Sequence, residues 1–207
     1  NIGGRGIVHG LWEGGKPHGE GTIYFPSHTE AATKSKANKA RIDAAGKTTT
    51  QDVDLKIETT TDGAAPRDDD DETVPEAYQE IETSFRHGEI VPGSNVRILF
   101  RSGSTYSGPF VPYGKNRGED HYGVFRCASA KSDEPFKRFE GPNVDNHFNR
   151  RRITGRFRVR WRISKDAQTY HVFDGDFVDS MRHGSGFFSS ASGWEYTGDW
   201  QFNARHG

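Results

Sequence analysis

Two copies of one pattern follow each other near the C-terminus, and this internal repeat constrains the fold more than any other feature of the chain. Each copy is an aromatic-x-Gly-x-aromatic segment that is separated by five residues from a His-Gly pair. The first copy begins at Phe173 and the second at Tyr196. A pattern that recurs at a fixed offset indicates a repeat architecture, in which each unit is too small to bury a face alone and stacks on its neighbours.

Further copies lie in the rest of the chain. A clear one starts at Val8, copies with longer connections start at Tyr106 and Phe139, and a strongly altered one starts at Tyr78. We therefore expect repeats to cover most of the chain. The positions that define them are Gly10, Trp12, His18, Gly19, Gly21, Tyr106, Gly108, Phe110, Phe139, Gly141, Phe173, Gly175, Phe177, His183, Gly184, Gly186, Tyr196, Gly198, Trp200, His206 and Gly207.

Each copy predicts a β-hairpin. Because side chains alternate between the two faces of a strand, the spacing of the aromatic residues places their rings on one face. The glycine between them permits close approach of a neighbouring backbone. The glycine after each histidine permits the positive φ that a tight turn requires, so we expect the His-Gly pairs to form the hairpin turns.

This pattern resembles the MORN repeat. The resemblance implies an all-β fold, an elongated single-layer sheet of stacked antiparallel β-hairpins with one long inserted loop. In this interpretation residues 1–25 form the first hairpin, residues 26–84 are the insertion, and residues 85–207 hold degenerate and then regular repeats. The later units start near positions 106, 139, 173 and 196, and the last is cut off, so we expect the sequence to be part of a longer protein.

The proposed insertion differs sharply in composition from the repeats. Residues 26–84 contain one aromatic residue, Tyr78, and their 14 acidic residues outnumber 7 basic ones. A segment this polar cannot bury enough surface to order itself alone. Two interpretations follow: a solvated loop between two hairpins, or a docking arm that becomes ordered on a partner.

An arginine-rich segment is the main candidate for a binding site. Residues 156–163 alternate strictly between arginine and apolar residues, which predicts a strand with one basic face. The basic residues of this region are Arg150, Arg151, Arg152, Arg156, Arg158, Arg160 and Arg162. Either neighbouring strands supply acidic residues to a cross-strand charge ladder, or the guanidinium groups bind an anion. Candidate anions are an acidic protein tail, a lipid headgroup, a nucleic-acid backbone and the acidic residues 68–72 of this chain.

No motif in the sequence indicates catalysis. The chain has no phosphate-binding loop and no zinc-protease or nucleophile-elbow motif, and its single cysteine, Cys127, rules out an intrachain disulfide. His18, His183 and His206 recur at one position of the repeat, roughly 10 Å apart in adjacent units, which is too far for one tetrahedral metal shell. We therefore expect no catalytic residues, no cofactor and no metal.

The composition limits the partners and the compartment. The formal net charge is −1, so no global field indicates nucleic acid, and we expect none as a partner. No apolar run reaches the roughly 18 residues of a membrane-spanning helix. The lone cysteine favours a reducing, cytoplasmic compartment.

The resemblance implies three functional classes. The first is a structural scaffold in a multi-subunit assembly, with a cilium or flagellum axoneme favoured over other cytoskeletal structures, with a homodimer among its arrangements, and with acidic tails of tubulin or of radial-spoke proteins as partners. The second is a membrane module that contacts phosphoinositides. The third is the repeat appendage of a larger enzyme, such as a lipid kinase or a lysine methyltransferase.

Overall fold

The described part of the chain forms one all-β sheet. The structure, a computed structural model, describes residues 6–26, 51–53, 78–112, 115–128, 137–148, 153–162 and 168–207. Within these residues all strand pairs are antiparallel, which confirms the prediction of a single sheet of hairpins. None of the described segments forms a helix with the length and hydrophobicity needed to cross a bilayer.

The strands are numbered in chain order. They are β1 Gly6–Glu13, β2 Lys16–Tyr24, β3 Gln51–Val53, β4 Tyr78–Arg86, β5 Glu89–Ile90, β6 Asn95–Phe100, β7 Thr105–Pro109, β8 Gly123–Arg126, β9 Lys137–Gly141, β10 Gly155–Trp161, β11 His171–Val178, β12 Met181–Ser189, β13 Glu195–Gln201 and β14 Ala204–His206.

The strand order follows the chain except near the insertion. From β14 to β6 each strand pairs with the next one in sequence, and the path then continues through β4, β2 and β1 to β3. Strand β5 lies off this path and pairs with β4 alone. The β1–β2 hairpin is therefore held between β3 on one side and β4 on the other, an arrangement that the repeat pattern does not reveal.

The predicted boundaries of the insertion are wrong at its C-terminal end. Strand β4 begins at Tyr78, inside the range 26–84, and residues 51–53 form β3. In β4 the buried Ile81 and Phe85 lie on the face opposite Glu80 and Glu82, an alternation that the average composition of the segment hides. Residues 27–50 and 54–77 lie outside the described residues. The two interpretations of the insertion, a solvated loop and a docking arm, concern mainly these residues and stay predictions.

The prediction that the His-Gly pairs form the turns of the regular repeats is wrong. The β1–β2 turn is Gly14–Gly15, and the β11–β12 turn is Asp179–Ser180, with positive φ at both residues of each. Two consecutive residues with positive φ make the type I′ turn, whose twist matches that of a hairpin.

The His-Gly pairs of these hairpins instead mark a β-bulge in the return strand. Gly10 pairs with Gly21, but the next residue, Leu11, pairs with His18. Gly19 and Glu20 of β2 therefore have no partner in β1. Gly19 has a φ of 72° there, in the left-handed region that favours glycine. The same shift recurs after Gly175 of β11.

Most buried apolar side chains lie on one face of the sheet, the aromatic face, and a chain of ring contacts runs across it. Neighbouring ring centroids lie 5.1–6.1 Å apart. Such contacts contribute about 0.5–1.5 kcal/mol each beyond the area that they bury. In order across the sheet the rings are Phe25, Tyr78, Phe100, Phe125, Phe148, Phe157, Phe177, Phe173 and Trp200.

Paired glycines provide the space under these rings. Gly175 and Gly186 are cross-strand partners, and the ring of Phe173 lies over both. A Cβ atom at position 175 would lie 2.7 Å from the Gly186 Cα and 2.8 Å from the Phe173 ring. The ring of Tyr196 lies over Gly198 in the same way. Gly108, Gly175 and Gly198 are therefore required because an aromatic ring of the same strand lies over each, whereas Gly10 and Gly141 face the backbone of the neighbouring strand.

We predict that Gly175→Ala destabilises the chain by about 2 kcal/mol, because the added methyl group must displace backbone and ring atoms. Chemical denaturation followed by circular dichroism measures this. Gly118→Ala is the matched control, since a Cβ atom there meets nothing within 4 Å. Equal stability of the two variants would contradict the role of the glycine pair.

Candidate functional site

Strands β8, β9 and β10 bring arginines together on the face opposite the aromatic rings, the charged face. In β10, Phe157 and Val159 are buried while Arg156 and Arg158 are exposed, which confirms the alternation that the sequence predicts. Residues 150–152 and 163 lie outside the described residues. Of the predicted arginine cluster, the structure therefore places Arg156, Arg158, Arg160 and Arg162, while Arg150, Arg151 and Arg152 remain a prediction.

Two of these arginines form a charge ladder with acidic residues of neighbouring strands. The Arg156 guanidinium lies 3.1 Å from the Asp174 carboxylate, and the Arg158 Nε lies 3.7 Å from Glu140. Arg158 is the cross-strand partner of Glu140 on one side and of Asp174 on the other. The first of the two interpretations of the arginine segment, a cross-strand ladder, therefore describes Arg156 and Arg158.

A second group of arginines lies in the adjacent row of the sheet. Arg138 of β9 has Arg126 of β8 as one cross-strand partner and Arg160 of β10 as the other. We call these three residues the arginine row. Like charges directly opposite each other destabilise a sheet, so this arrangement needs a compensating negative charge.

Part of that compensation comes from within the chain. The Arg138 guanidinium donates to the Glu140 carboxylate at 2.7 Å, and Glu140 is 8% exposed. The Arg160 guanidinium lies over the ring of Tyr170, 4.7 Å from its centroid. The Arg162 guanidinium lies 5.6 Å from the same centroid. One carboxylate thus serves Arg138 and Arg158, and the row keeps a net positive charge.

The sequence did not identify Arg126 and Arg138 as members of this site. Each is a single arginine far from residues 150–162 in the chain, and only the pairing register brings them beside Arg160. Register depends on the packing of Phe125, Phe139 and Val159 on the aromatic face, which a motif search does not evaluate.

Polar side-chain contacts join two connections between strands, β7–β8 and β9–β10. Asn146 accepts a hydrogen bond from the Val111 N–H at 2.8 Å and donates to the Val111 carbonyl at 3.2 Å. The His121 Nε2 donates to the Val144 carbonyl at 2.8 Å, and the Arg117 Nε lies 2.6 Å from Asp145. These buried groups are satisfied by one another, which indicates a structural role.

Three tyrosines have a raised pKa, and two of them lie beside these connections. Burial raises the pKa of Tyr78. A hydrogen bond with Asn146 lowers this pKa in part, and the negative charge of Asp145 raises it further. Burial and the same carboxylate also raise the pKa of Tyr106, whose hydroxyl donates to the Pro109 carbonyl at 2.8 Å. On the charged face, partial burial and then the carboxylate of Glu140 raise the pKa of Tyr122. All three shifts favour the neutral form of the phenol.

Of the histidines in His-Gly pairs, His18 and His87 are neighbours, with ring centroids 6.2 Å apart, and His183 lies in a separate hairpin. His18 lies 3.4 Å from Glu13 in the first hairpin, while the ring of His183 contacts Phe202 near the far edge of the sheet. Among the residues that the structure describes, no group of three His, Cys, Asp or Glu side chains could hold a metal ion. Cys127 is buried.

The fold and these surfaces define an open repeat sheet that presents two different faces and two edges. The sequence model of the MORN repeat matches residues 9–30, 173–195 and 196–207, which cover most of the β1–β2, β11–β12 and β13–β14 hairpins. These three segments of the chain are therefore MORN repeats, which suggest a module that binds proteins or membranes. No curated protein is similar enough to the chain to count as a relative.

We predict that Glu140→Gln destabilises the chain by about 1–2 kcal/mol, because it leaves Arg138 and Arg158 without their shared carboxylate. The loss decreases as salt concentration rises, since salt screens the repulsion between the arginines. Denaturation at low and high salt measures both effects. Glu195→Gln, at an exposed position of β13, is the matched control. A salt-independent loss would show that the charge of Glu140 is not what matters.

Proposed function

We propose that this chain is a non-catalytic scaffold that assembles with other proteins and binds an acidic segment of a partner across the arginine row. The observation that supports the proposal is the direct cross-strand placement of Arg126, Arg138 and Arg160. The strands that carry these arginines lie about 4.8 Å apart, and a guanidinium group can bind a carboxylate in bidentate fashion.

The charges that flank the row favour a narrow acidic segment over a lipid surface. On one side, β4 carries Glu80 and Glu82 on the charged face, and on the other side β11 carries Asp174 and Asp176. A flat anionic bilayer that reached the arginine row would meet these carboxylates as well. An extended peptide can follow the row and avoid them.

The proposed setting is cytoplasmic and cytoskeletal, and a ciliary or flagellar axoneme is favoured because the MORN resemblance implies such assemblies. Acidic tails of tubulin or an acidic radial-spoke protein have the chemistry that the arginine row requires. The expected partners are the other subunits of such an assembly. A phosphoinositide-binding module and the appendage of a larger enzyme are the competing functions.

The experiment compares Arg126→Gln/Arg160→Gln with the charge-matched control Arg86→Gln/Arg97→Gln, whose residues lie in β4 and β6. Arg138 is left in place because it pairs with the buried Glu140. The probes are a fluorescein-labelled deca-glutamate peptide, intact microtubules, microtubules with their acidic tails removed by protease, and vesicles containing phosphoinositide. We predict that the row variant weakens peptide binding at least tenfold at moderate salt, while the control variant changes it less than twofold.

Each other outcome has a definite meaning. Equal peptide binding by the two variants would overturn the role of the arginine row. Vesicle binding without peptide binding would favour the membrane module. Peptide binding without any difference between intact and trimmed microtubules would contradict the tubulin tail as partner and leave an acidic assembly protein in its place.

A further inference from the structure

The arginine row continues into apolar side chains on the charged face. Arg160 of β10 has Val172 of β11 as its cross-strand partner, and Val172 has Ser189 of β12 as its other partner. Phe187 lies two residues before Ser189, so it is a diagonal neighbour of Val172 on the same face of the sheet. Both side chains are half-buried. We call Val172 and Phe187 the apolar pair.

The apolar pair does not belong to the hydrophobic core of the described residues. Strands β11 and β12 contribute Phe173, Phe177 and Phe188 to that core or to its margin, and these three rings lie on the aromatic face. Val172 and Phe187 point to the opposite face, among charged side chains. Core packing therefore does not account for these two apolar residues, and their accessible surface can contact a bound molecule.

Acidic residues of β11 limit how far an acidic ligand can extend beyond the arginine row. Asp174 lies on the same face as Val172, two residues further along the strand, and its partner in β12 is Phe187. Asp176 follows on the same face. A ligand that carried further carboxylates past β10 would bring them close to these like charges. Beyond β10 the surface therefore favours an uncharged, apolar side chain.

Tyr170 connects the charged and the apolar parts of this surface. It precedes Val172 by two residues, and the Arg160 guanidinium lies over its ring, 4.7 Å from the centroid. This cation–π contact holds the Arg160 side chain on the β11 side of the row. The last guanidinium of the row and the apolar pair therefore lie next to each other.

We propose that the partner segment is both acidic and hydrophobic: its carboxylates bind the arginine row, and a large apolar side chain that follows them binds the apolar pair. This inference rests on the proposed function and names a second element of recognition at the same site. Strands β10 and β12 are two steps apart, about 10 Å. An extended segment covers that distance in about three residues.

The apolar side chain adds what a run of carboxylates lacks. Equivalent acidic residues can slide along the three arginines, whereas one large apolar residue has a single place to bind. It contributes affinity through the apolar area that it buries, and this contribution is insensitive to salt screening. The apolar pair therefore fixes the direction and the register of the bound segment.

The test uses the full chain and two fluorescein-labelled peptides, each amidated at its C-terminus. Both consist of six glutamates, two glycines and one final residue, which is phenylalanine in one peptide and serine in the other. We expect the phenylalanine peptide to bind five- to tenfold more tightly in fluorescence anisotropy, in line with partial burial of one aromatic side chain.

The double variant Val172→Thr/Phe187→Thr should reduce this advantage to less than twofold. Threonine keeps the preference for a strand, and an unchanged affinity for the serine peptide would report that the sheet and the arginine row are intact. Leu11→Thr is the matched control, because Leu11 is an apolar residue of the charged face, 69% exposed, in the distant strand β1. The control should keep the full advantage of phenylalanine.

Two results would overturn this inference and leave the arginine row as the whole site. One is equal affinity of the original chain for the two peptides. The other is an advantage of phenylalanine that persists in the double variant, because the ring would then bind elsewhere. Failure of the proposed function gives a different result: neither peptide binds, or both bind Arg126→Gln/Arg160→Gln as tightly as the original chain, and this inference then fails with it.

Discussion

The contact between aromatic rings and paired glycines is the interaction on which this fold depends. The sheet has one layer in the described residues, so its rings must bury one another across strands and lie flat on the sheet. A ring can lie flat only where the strand beneath it has no side chains, and Phe173 over Gly175 and Gly186 shows this arrangement. The spacing of aromatic residues and glycines is thus a packing requirement that the repeats starting at Tyr106, Phe173 and Tyr196 share.

A single layer held in this way leaves the charged face and the edges of the sheet for interaction. The charged face is stabilised locally by carboxylates such as Glu140, and its arginine row is where positive charge accumulates. On the aromatic face, Arg205 lies over Tyr196 of its own hairpin as Arg182 lies over Phe173. The arginine row is a consequence of the pairing register and not of a sequence motif.

The sequence alone predicts the elements with strong local signals. The hairpins at Val8, Phe173 and Tyr196 and the alternation of residues 156–162 are visible because one face of each strand is aromatic. The turn positions do not follow from the motif, because Asp179–Ser180 and Phe202–Asn203 adopt positive φ without glycine, while the glycines after histidine mark bulges in the β1–β2 and β11–β12 hairpins.

Elements that depend on non-local pairing could not be predicted. Strand β6 carries Val96, Ile98 and Phe100 on its buried face but has no glycine of the repeat pattern, so the search for repeats passed over it. The arginine row needs the β8–β9–β10 register, and the position of β3 beside β1 needs the path of the chain after β2. None of these is encoded in a short motif.

The most direct test of an open sheet is the distance between its ends in solution. Spin labels at Leu11→Cys and Phe202→Cys occupy exposed positions, 69% and 61% accessible, in a background with Cys127 replaced by serine. Strands β1 and β13 are ten steps apart in the strand order, which at about 4.8 Å per step and with some loss to twist gives about 40–50 Å. Pulsed electron–electron double resonance should show a main distance between the two spin labels in that range. A main distance below about 25 Å would mean that the two ends approach each other, and would contradict the open single-layer sheet.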